Sequence, residues 1–549
     1  MGSIRGRRTR GLAAALLLYT GLTFFVTWPL PADPARLTTP NDDTYLNTWA
    51  MAWAVHQGLT DPLRLYDANI YHPLPLAFAH TETLLPQALQ ALPIHLLGGG
   101  PRLAHNVVLL ATFPLAALGA HLLALELGAS AFGALLAGLG FGFGAFRNDH
   151  LVHVQTLSHQ WLPFALLFLL RSLARPTPLN LTALGAFSAL QVLSTGYYAV
   201  VTGFALGAVL LLEGRSAWGR GSLVRVLIAL GVAASLCVVV LAPQLLLRAG
   251  SEERRSRAEC AHWSARWTSY LDPGAAPALP HQELLSSAFA TGEPLYPGLG
   301  PFVLGVAGLL LVARSTPARL AAVLAAVGLV LSLGPDVQLG PWYVGGPYEL
   351  VRLSPLGASL RTPSRMAVLA LLGLGLLAAL AWTRFLAGRR GARWIAAAIA
   401  LVTMAEARPA GQAGHIRHDA PLPEAVAGLA RLPRGAVLEL PWNDWEQAAL
   451  YMYWSTSHWQ PLVNGFGAFQ PPGFRVVGLI GRRWPSTHAS RQLRARGIRY
   501  VVMHLDRVTP AQRARVLEGT LPDGVRLLAA VGDDRVWEIA PLGAGPPLN

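Results

Sequence analysis

A charge-free apolar run from Gly11 to Leu30 constrains the fold more than any other feature of the sequence. Its 20 residues follow the basic cluster RGRR, and a helix of about 20 apolar residues spans the ~30 Å hydrocarbon core of a bilayer. Signal peptides have shorter apolar cores, so we interpret the run as a retained transmembrane helix, although PADPA at 31–35 leaves cleavage open. Further apolar runs follow near 103–125, 129–146, 154–170, 179–194, 198–213, 226–247, 299–313, 320–334, 366–383 and 394–407. The sequence thus predicts an α-helical polytopic membrane protein with about 11 transmembrane helices.

Composition agrees with this fold class and excludes several others. The chain is 53% hydrophobic and 13% charged, outside the range of soluble globular proteins. Cys237 and Cys260 are its only cysteines, which excludes a disulfide framework and a zinc ribbon. The net charge of +14 comes from arginine without any lysine, and because the charges sort by membrane side, we expect no nucleic-acid partner.

The arginines also predict the orientation. With a cytoplasmic N-terminus, the inner connections hold 15 arginines in 50 residues and the outer ones hold 11 in 160. This asymmetry follows the positive-inside rule. An odd number of helices then places the first long loop, 31–101, and the C-terminal region on the outer face. Two outer arginines, Arg361 and Arg365, have few acids nearby in sequence, and we interpret them as phosphate ligands.

The composition changes near residue 408. GAVLELP, IRYVVMHL, VRLLAAVG and RVWEIAP have the pattern of short strands, separated by helical stretches at Trp445–Trp454 and Ala511–Glu518. We therefore divide the chain into a transmembrane domain, 1–407, and a small extracytoplasmic α/β domain, 408–549. The apolar stretch Leu179–Leu212 is too long for one span, and the Ser194–Tyr198 segment predicts a turn that divides it.

The segment from Thr38 to Gln57 is the strongest candidate for chemistry. Asp42 and Asp43 open a predicted helix on which Tyr45, Trp49 and Trp53 share one face. Such a face predicts a helix lying on the membrane surface, with its aromatic rings at headgroup depth. The alternative for either aspartate is a purely structural N-cap, and of the two Asp42 is the better candidate for the cap.

Other polar groups cluster in two predicted outer loops. RNDHLVH places Arg147, His150 and His153 between two apolar spans, where such residues need partners or a function. Glu82, with His72 and His80, lies in the first loop. No pair among these groups shows the spacing of a known metal-binding motif, and yet their side chains are of the types that bind metals. The sequence therefore neither predicts nor excludes a divalent metal, and it indicates no other cofactor. We interpret Arg147, His150 and His153 as substrate-binding groups, while a satisfied interfacial network is the alternative for each histidine.

Several of these pieces carry a family resemblance. DDTYLNTWAMAW, NIYHPLPLAFAHTETLLPQAL, RNDHLVHVQTLSHQWLPF, LRTPSRMAVLALLG and VNGFGAFQPPGF resemble bacterial GT-C class membrane glycosyltransferases that depend on polyprenyl-phosphate sugars. The resemblance implies a GT-C-like transmembrane domain in the cytoplasmic membrane, a polyprenyl-phosphate sugar donor, and a glycan, lipid or protein acceptor. In that class an acidic residue of the first outer loop is the catalytic base, and Asp43 holds that position. Asp42 adds a second carboxylate, and Glu82 is a candidate further acid.

The residue types suit this chemistry. An acceptor hydroxyl needs a carboxylate to accept its proton, and the departing phosphate needs cations around it. Asp43 meets the first need, and Arg361, Arg365 and Arg147 meet the second. Two other hypotheses stay open: a transporter or flippase of lipid-linked sugars, and a non-catalytic assembly partner in envelope glycan synthesis.

Overall fold

The structure is a computed structural model that divides into two compact units. It describes residues 2–218, 221–249, 254–274, 277–339, 341–354, 357–408, 415–471 and 473–541. The first unit, which we call the helical unit, consists of Met1–Leu37 and Asn106–Arg417. The second, which we call the sheet unit, consists of Thr38–His105 and His418–Asn549. The first long loop thus groups with the C-terminal region, whereas we had placed it with the transmembrane part.

Helices dominate the described residues. Up to residue 249 they are α1 (Gly2–Val26), α2 (Asp42–Thr60), α3 (Leu85–Leu96), α4 (Pro101–Glu126), α5 (Ala131–Phe143), α6 (Ala145–Asp149), α7 (Val154–Leu157), α8 (Trp161–Ala174), α9 (Pro178–Ser194), α10 (Gly196–Trp218) and α11 (Ser222–Ala249). Beyond it they are α12 (Arg257–His262), α13 (Pro280–Phe289), α14 (Leu299–Gly308), α15 (Thr316–Ser332), α16 (Tyr348–Leu353), α17 (Ala367–Ala381), α18 (Ala392–Glu406), α19 (Glu424–Gly428), α20 (Trp445–Ser455), α21 (Phe474–Gly481), α22 (Thr487–Ala495) and α23 (Pro510–Glu518).

Every predicted span contains an apolar helix, and the protein is a membrane protein. By length and composition, four helical stretches among the described residues can cross a membrane: Pro101–Glu126, Gly196–Gly214, Ser222–Ala249 and Pro363–Leu386. Shorter apolar helices lie at Gly11–Val26, Leu299–Arg314 and Thr316–Ser332. The total of about 11 spans therefore stays a prediction. The predicted division of Leu179–Leu212 is confirmed, because α9 ends at Ser194 and Thr195 is extended before α10 begins.

Close helix packing holds the helical unit together. Helix α17 is almost wholly buried and packs against α5, α14 and α15. A Cβ atom added at Gly328 of α15 would lie 2.1 Å from the backbone nitrogen of Ala370 in α17. Glycine at that position therefore sets the spacing of the two helices, as small residues do in membrane helix pairs. Gly142 of α5 similarly approaches Ala117 of α4.

The sheet unit is built on a four-stranded sheet. Its strands β5 (Ala436–Leu440), β6 (Ile498–His504), β7 (Val525–Val531) and β8 (Asp534–Ile539) have the order β5-β6-β8-β7. The pair β5 and β6 is parallel, and the other two pairs are antiparallel. All four strands and helices α20 and α23 lie where the sequence predicts them. The remaining strands are short: β1 (Leu37–Thr38), β2 (Asp336–Leu339), β3 (Trp342–Gly345) and β4 (Arg417–His418).

Helix α2 packs inside the sheet unit and not on a membrane surface. Tyr45 stacks on Tyr453 of α20 with ring centroids 5.7 Å apart, and Trp53 contacts Trp459 at 5.8 Å. Trp49 is fully buried, and its indole N–H donates to Asn69. The prediction of an aromatic membrane anchor is therefore wrong. A continuous aromatic face is equally suited to a protein interior, and the partner face lies more than 400 residues away in sequence.

Candidate functional site

The carboxylates of the first loop sit in the first turn of α2. Asn41 is the N-cap, and its side-chain oxygen accepts a hydrogen bond from the Asp43 backbone N–H at 2.9 Å. One Asp42 carboxylate oxygen accepts from the same N–H at 3.0 Å. The expectation that Asp42 or Asp43 is the N-cap is thus wrong, because Asn41 occupies that position. Both aspartates are half-buried, and the positive end of the helix dipole favours their ionised forms.

A buried ion pair fixes α2 within the sheet unit. The Arg102 guanidinium donates to both Asp419 carboxylate oxygens, at 2.8 and 3.2 Å, and to Thr48 of α2 at 2.9 Å. It also lies over the rings of Tyr45 and Tyr453, at 5.5 and 4.6 Å from their centroids. These contacts tie the start of α4 and the chain at Asp419 to the helix that begins with the aspartate pair.

Glu82 and the first-loop histidines occupy different surroundings. Glu82 is half-buried and lies just before α3, which packs against α2. His80 is buried, and its Nδ1 lies 3.1 Å from the Phe469 carbonyl oxygen. Burial lowers the pKa of His80 and of His72, so both rings are neutral at physiological pH. The structure thus places Glu82 beside the element that packs on α2, and it holds the buried His80 ring against the Phe469 carbonyl oxygen.

A second group of titratable side chains lies in the helical unit. Partial burial raises the pKa of Asp149, whose side chain is 46% exposed, to about 6; His153 opposes this rise and Asp272 reinforces it. Burial also raises the pKa of Glu293 to about 7, with Asp149 acting in the same direction and Arg365 in the opposite one. Two neighbouring carboxyl groups whose pKa values are raised toward neutrality are typical of a functional site.

The loop that carries Glu293 is held in place by its neighbours. Asp272 is buried, and its carboxylate accepts from the backbone N–H and the hydroxyl of Thr291, at 2.7 and 2.9 Å. The Thr291 hydroxyl in turn accepts from the Glu293 backbone N–H at 3.3 Å. The hydrogen bonds from Asp272 through Thr291 therefore hold the Glu293 backbone in place. Sequence reasoning missed Glu293, although an acid inside the outer-loop segment TGEPLYP was a usable signal.

His150 and His153 border the same group of carboxyl groups. His150 is buried and stacks on Phe146, with ring centroids 4.4 Å apart. Burial lowers its pKa well below the usual value, and His153 and Arg365 act in the same direction. A neutral imidazole can donate or accept a hydrogen bond but adds no positive charge. The two histidines that we predicted to bind substrate thus lie close to each other and near Asp149 and Arg365.

Arg361 and Arg365 both have acidic neighbours, contrary to our reading of the sequence. The Arg361 guanidinium lies 4.0 Å from the Glu259 carboxylate, and its side chain is 51% exposed. Arg365 stacks over the Tyr197 ring at 4.7 Å and acts electrostatically on Glu293. These acids are distant in sequence, which is why the pattern concealed them. Both arginines therefore lie in a mixed rather than a purely basic environment.

Arg147 has an internal role. Its guanidinium is 1% exposed and donates to the Leu157 carbonyl oxygen at 3.2 Å and to Thr112 at 2.6 Å. It also lies 2.6 Å from His159 Nε2 and stacks over Phe113 at 4.2 Å. With its hydrogen bonds directed inward, Arg147 joins α4, α6 and the end of α7. The structure therefore does not support the prediction that Arg147 binds phosphate.

The other outer arginines form ion pairs with nearby acids. Arg255 pairs with Glu259 at 3.1 Å, and Arg257 pairs with Asp336 at 2.7 Å. The neighbouring acids Glu252 and Glu253 lie outside the described residues. Within the described part of the chain, no three His, Cys, Asp or Glu side chains form a group that could hold a metal ion.

Comparison with known proteins identifies the fold. Neither a protein-family model nor a curated protein sequence matches the chain. Among solved structures, the arabinofuranosyltransferase AftD from Mycobacteria aligns with a TM-score of 0.62 and 17% identity, over 97% of this chain and 40% of that one. The oligosaccharyltransferase of Archaeoglobus fulgidus aligns with a TM-score of 0.52 and 13% identity, over 90% of this chain and 70% of that one. Both are GT-C glycosyltransferases. The chain has a GT-C-like fold.

The GT-C-like fold confirms the resemblance seen in the sequence, and at these identities it establishes the fold alone. The chain spans less than half the length of AftD, so activity, substrates and partners do not follow from the alignment. What the fold does provide is a context for the two groups of residues. One contains the aspartates at the start of α2 in the sheet unit, and the other contains Asp149, Glu293 and Arg365 in the helical unit.

Proposed function

We propose that the protein is an inverting membrane glycosyltransferase with Asp43 as its general base. It transfers a sugar from a polyprenyl-phosphate donor to a glycan, lipid or protein acceptor on the outer face of the cytoplasmic membrane. The observation that carries the proposal is the position of Asp43, in the first turn of a fixed helix that follows the first apolar helix of a GT-C-like fold.

The proposed reaction is a single displacement at the anomeric carbon. The acceptor hydroxyl oxygen attacks this carbon and forms the new glycosidic bond, while Asp43 accepts the hydroxyl proton. The bond between the anomeric carbon and the phosphate oxygen breaks, and its electron pair leaves with polyprenyl phosphate. Attack opposite to the leaving group inverts the anomeric configuration. Because phosphate leaves readily, the scheme needs no second carboxylic acid, unlike glycoside hydrolysis.

We take Asp43 rather than Asp42 as the base because Asp43 holds the position that the family resemblance gives to the catalytic base. The Asp42 carboxylate accepts a hydrogen bond from the Asp43 backbone N–H, which engages it at the helix terminus. Capping by Asn41 means that the helix does not require the Asp43 carboxylate as its cap. The helix dipole favours the ionised form of Asp43, so it is ready to accept a proton at neutral pH. Asp42 then supports the first turn, and Glu82 is the further acid beside α3.

The leaving phosphate requires positive charge, and the candidates that the sequence offers for it are Arg361 and Arg365. Arg361 and Arg365 carry guanidinium groups that can donate two hydrogen bonds to phosphate oxygens. His150 adds a neutral hydrogen-bonding group, since burial lowers its pKa and keeps its ring uncharged. Lowering the charge on the departing oxygens in this way stabilises the transition state. A divalent metal ion could supply the same charge, and a chelator distinguishes the two.

The decisive test is release of polyprenyl phosphate by purified protein in proteoliposomes. A panel of polyprenyl-phosphate sugars is offered with an acceptor mixture, and product is followed with and without a chelator. We expect Asp43→Asn to lower the rate by about 10²- to 10⁴-fold, as loss of a general base does. Asp42→Asn is the matched control and should lose far less. Full activity of Asp43→Asn would remove Asp43 from the mechanism, and movement of donor across the bilayer without release would indicate a transporter.

A further inference from the structure

A cleft in the sheet unit is not used by the mechanism above. Its volume is about 410 Å³, and its lining includes Trp442, Asn443, Asp444, Trp445, Gln470 and Arg482. That volume falls within the range of roughly 300–1,000 Å³ that small-molecule sites occupy. Two indole rings, two amides and one charge of each sign therefore meet in one concave surface.

The local structure holds the cleft open and fixes its wall. Asp444 is the N-cap of α20 and accepts from the Gln447 backbone N–H at 2.8 Å, while the Gln447 side chain accepts from the Asn443 backbone N–H at 3.1 Å. The Tyr451 hydroxyl donates to the Pro441 carbonyl oxygen at 2.9 Å. These three hydrogen bonds fix both ends of the short segment between β5 and α20. This wall of the cleft is thus fixed by hydrogen bonds within the protein.

The two tryptophans differ in exposure. Trp442 is 9% exposed and forms part of the floor, where a Cβ atom at Gly478 of α21 would lie 3.6 Å from its ring. Trp445 is 41% exposed and is steadied by Phe466, with ring centroids 5.7 Å apart. A large aromatic side chain left exposed at a cleft, yet held by a second ring, is arranged to contact a ligand rather than to fill a core.

The chemistry of the lining selects a class of ligand. The faces of sugar rings carry C–H groups that pack on aromatic rings, and their hydroxyls bind the planar amide, carboxylate and guanidinium groups of Asn443, Asp444, Gln470 and Arg482. Because the lining carries one acid and one base, the charges balance and favour neither an anionic nor a cationic ligand. We propose that this cleft binds a neutral saccharide and holds the acceptor glycan of the transfer reaction.

Its place on α20 relates it to the proposed base. Trp445 and Tyr453 are eight residues apart on this helix, about 12 Å along its axis. Tyr453 stacks on Tyr45, which follows Asp43 by two residues. A glycan of a few rings covers that distance. The acceptor role rests on the proposed function, whereas saccharide binding in the cleft does not.

Binding by the full-length protein tests the inference without catalysis. Neutral arabino-, manno-, gluco- and galacto-oligosaccharides of two to four rings are titrated by calorimetry, with a uronic-acid oligosaccharide for comparison. We expect saturable binding of a neutral saccharide that Trp445→Ala weakens at least about tenfold. Asn443→Ala should also weaken it. Trp342→Ala is the matched control, because Trp342 is a 74% exposed tryptophan of β3 in the helical unit, and it should bind normally.

The outcomes separate this inference from the proposed function. Absence of neutral saccharide binding, undiminished binding by Trp445→Ala, or preference for the uronic-acid oligosaccharide would each overturn the inference. If the protein releases polyprenyl phosphate but shows any of these results, the function stands and the cleft does not. If it binds a neutral saccharide through the cleft but never releases polyprenyl phosphate, the cleft stands and the function does not.

Discussion

Removing the Asp419 carboxylate should be among the most destabilising single changes in the sheet unit. Asp419→Ala leaves the Arg102 guanidinium, 3% exposed, without its anion and without two hydrogen bonds. The Tyr453 hydroxyl loses its acceptor as well, at 2.7 Å. Breaking a buried ion pair from one side costs about 3–5 kcal/mol, because the remaining charge stays buried and unpaired. An exposed pair would cost only about 0–1 kcal/mol.

The double variant makes the reasoning specific. In Arg102→Met with Asp419→Leu, both charges are gone and apolar side chains occupy their places, so the cost should be well below that of Asp419→Ala. Pulse proteolysis of the detergent-solubilised protein in urea measures the fraction of intact sheet unit for each variant. The pair would not behave as a buried one if Asp419→Ala lowered the free energy of unfolding by less than about 1 kcal/mol. The same would follow if the double variant were no more stable than Asp419→Ala. High salt should change none of these values much, since buried charges are poorly screened.

Three further predictions concern pH and packing. Burial alone would lower the pKa of His504, but hydrogen bonds from its ring to Asp534 and Glu439 outweigh this and raise it to about 9. Protonated His504 therefore contributes fully to the free energy of unfolding below about pH 6.5, and this contribution is lost as the pH rises through 9. Urea unfolding from pH 6 to 10 should show a decline in the free energy of unfolding, and His504→Gln should make this decline smaller. Glu293 should contribute an ionisation near pH 7 to the pH profile of transfer, and a Glu293→Gln profile that keeps this ionisation would assign it elsewhere. Gly328→Ala should destabilise the α15 and α17 pair by about 1–3 kcal/mol in a detergent melt, while Gly203→Ala, where a Cβ meets nothing within 4 Å, should have little effect.

Local pattern predicted most elements of the fold. Apolar runs located the helices, including the division at Thr195, and alternation located all four strands of the C-terminal sheet. Both signals depend on neighbouring residues along the chain, which a sequence displays directly. The number of helices that cross the bilayer did not follow as directly, since several apolar helices are shorter than a full span.

The candidate site was harder to predict because its partners are distant in sequence. The aromatic face of α2 looked like a membrane anchor, since nothing nearby indicated that α20 would cover it. Arg147 looked like a ligand because its internal acceptors, Thr112 and Leu157, lie on other elements. Glu293 gained its significance only from Asp149, more than a hundred residues earlier. Charge and burial in three dimensions decided these roles, and one-dimensional spacing could not.

The contacts of Asn69 have a consequence for the timing of biosynthesis. Its side chain donates to Ser455, 386 residues later, and its backbone carbonyl accepts from Leu462. At about 5–20 residues per second, the ribosome needs roughly 20–80 s to make the intervening chain. Throughout that interval the aromatic face of α2 lacks its α20 partner, although the helices between are already entering the membrane. We therefore expect nascent chains stopped before residue 445 to expose this face to proteases or chaperones, and the proposed base to acquire its fixed position only late in synthesis.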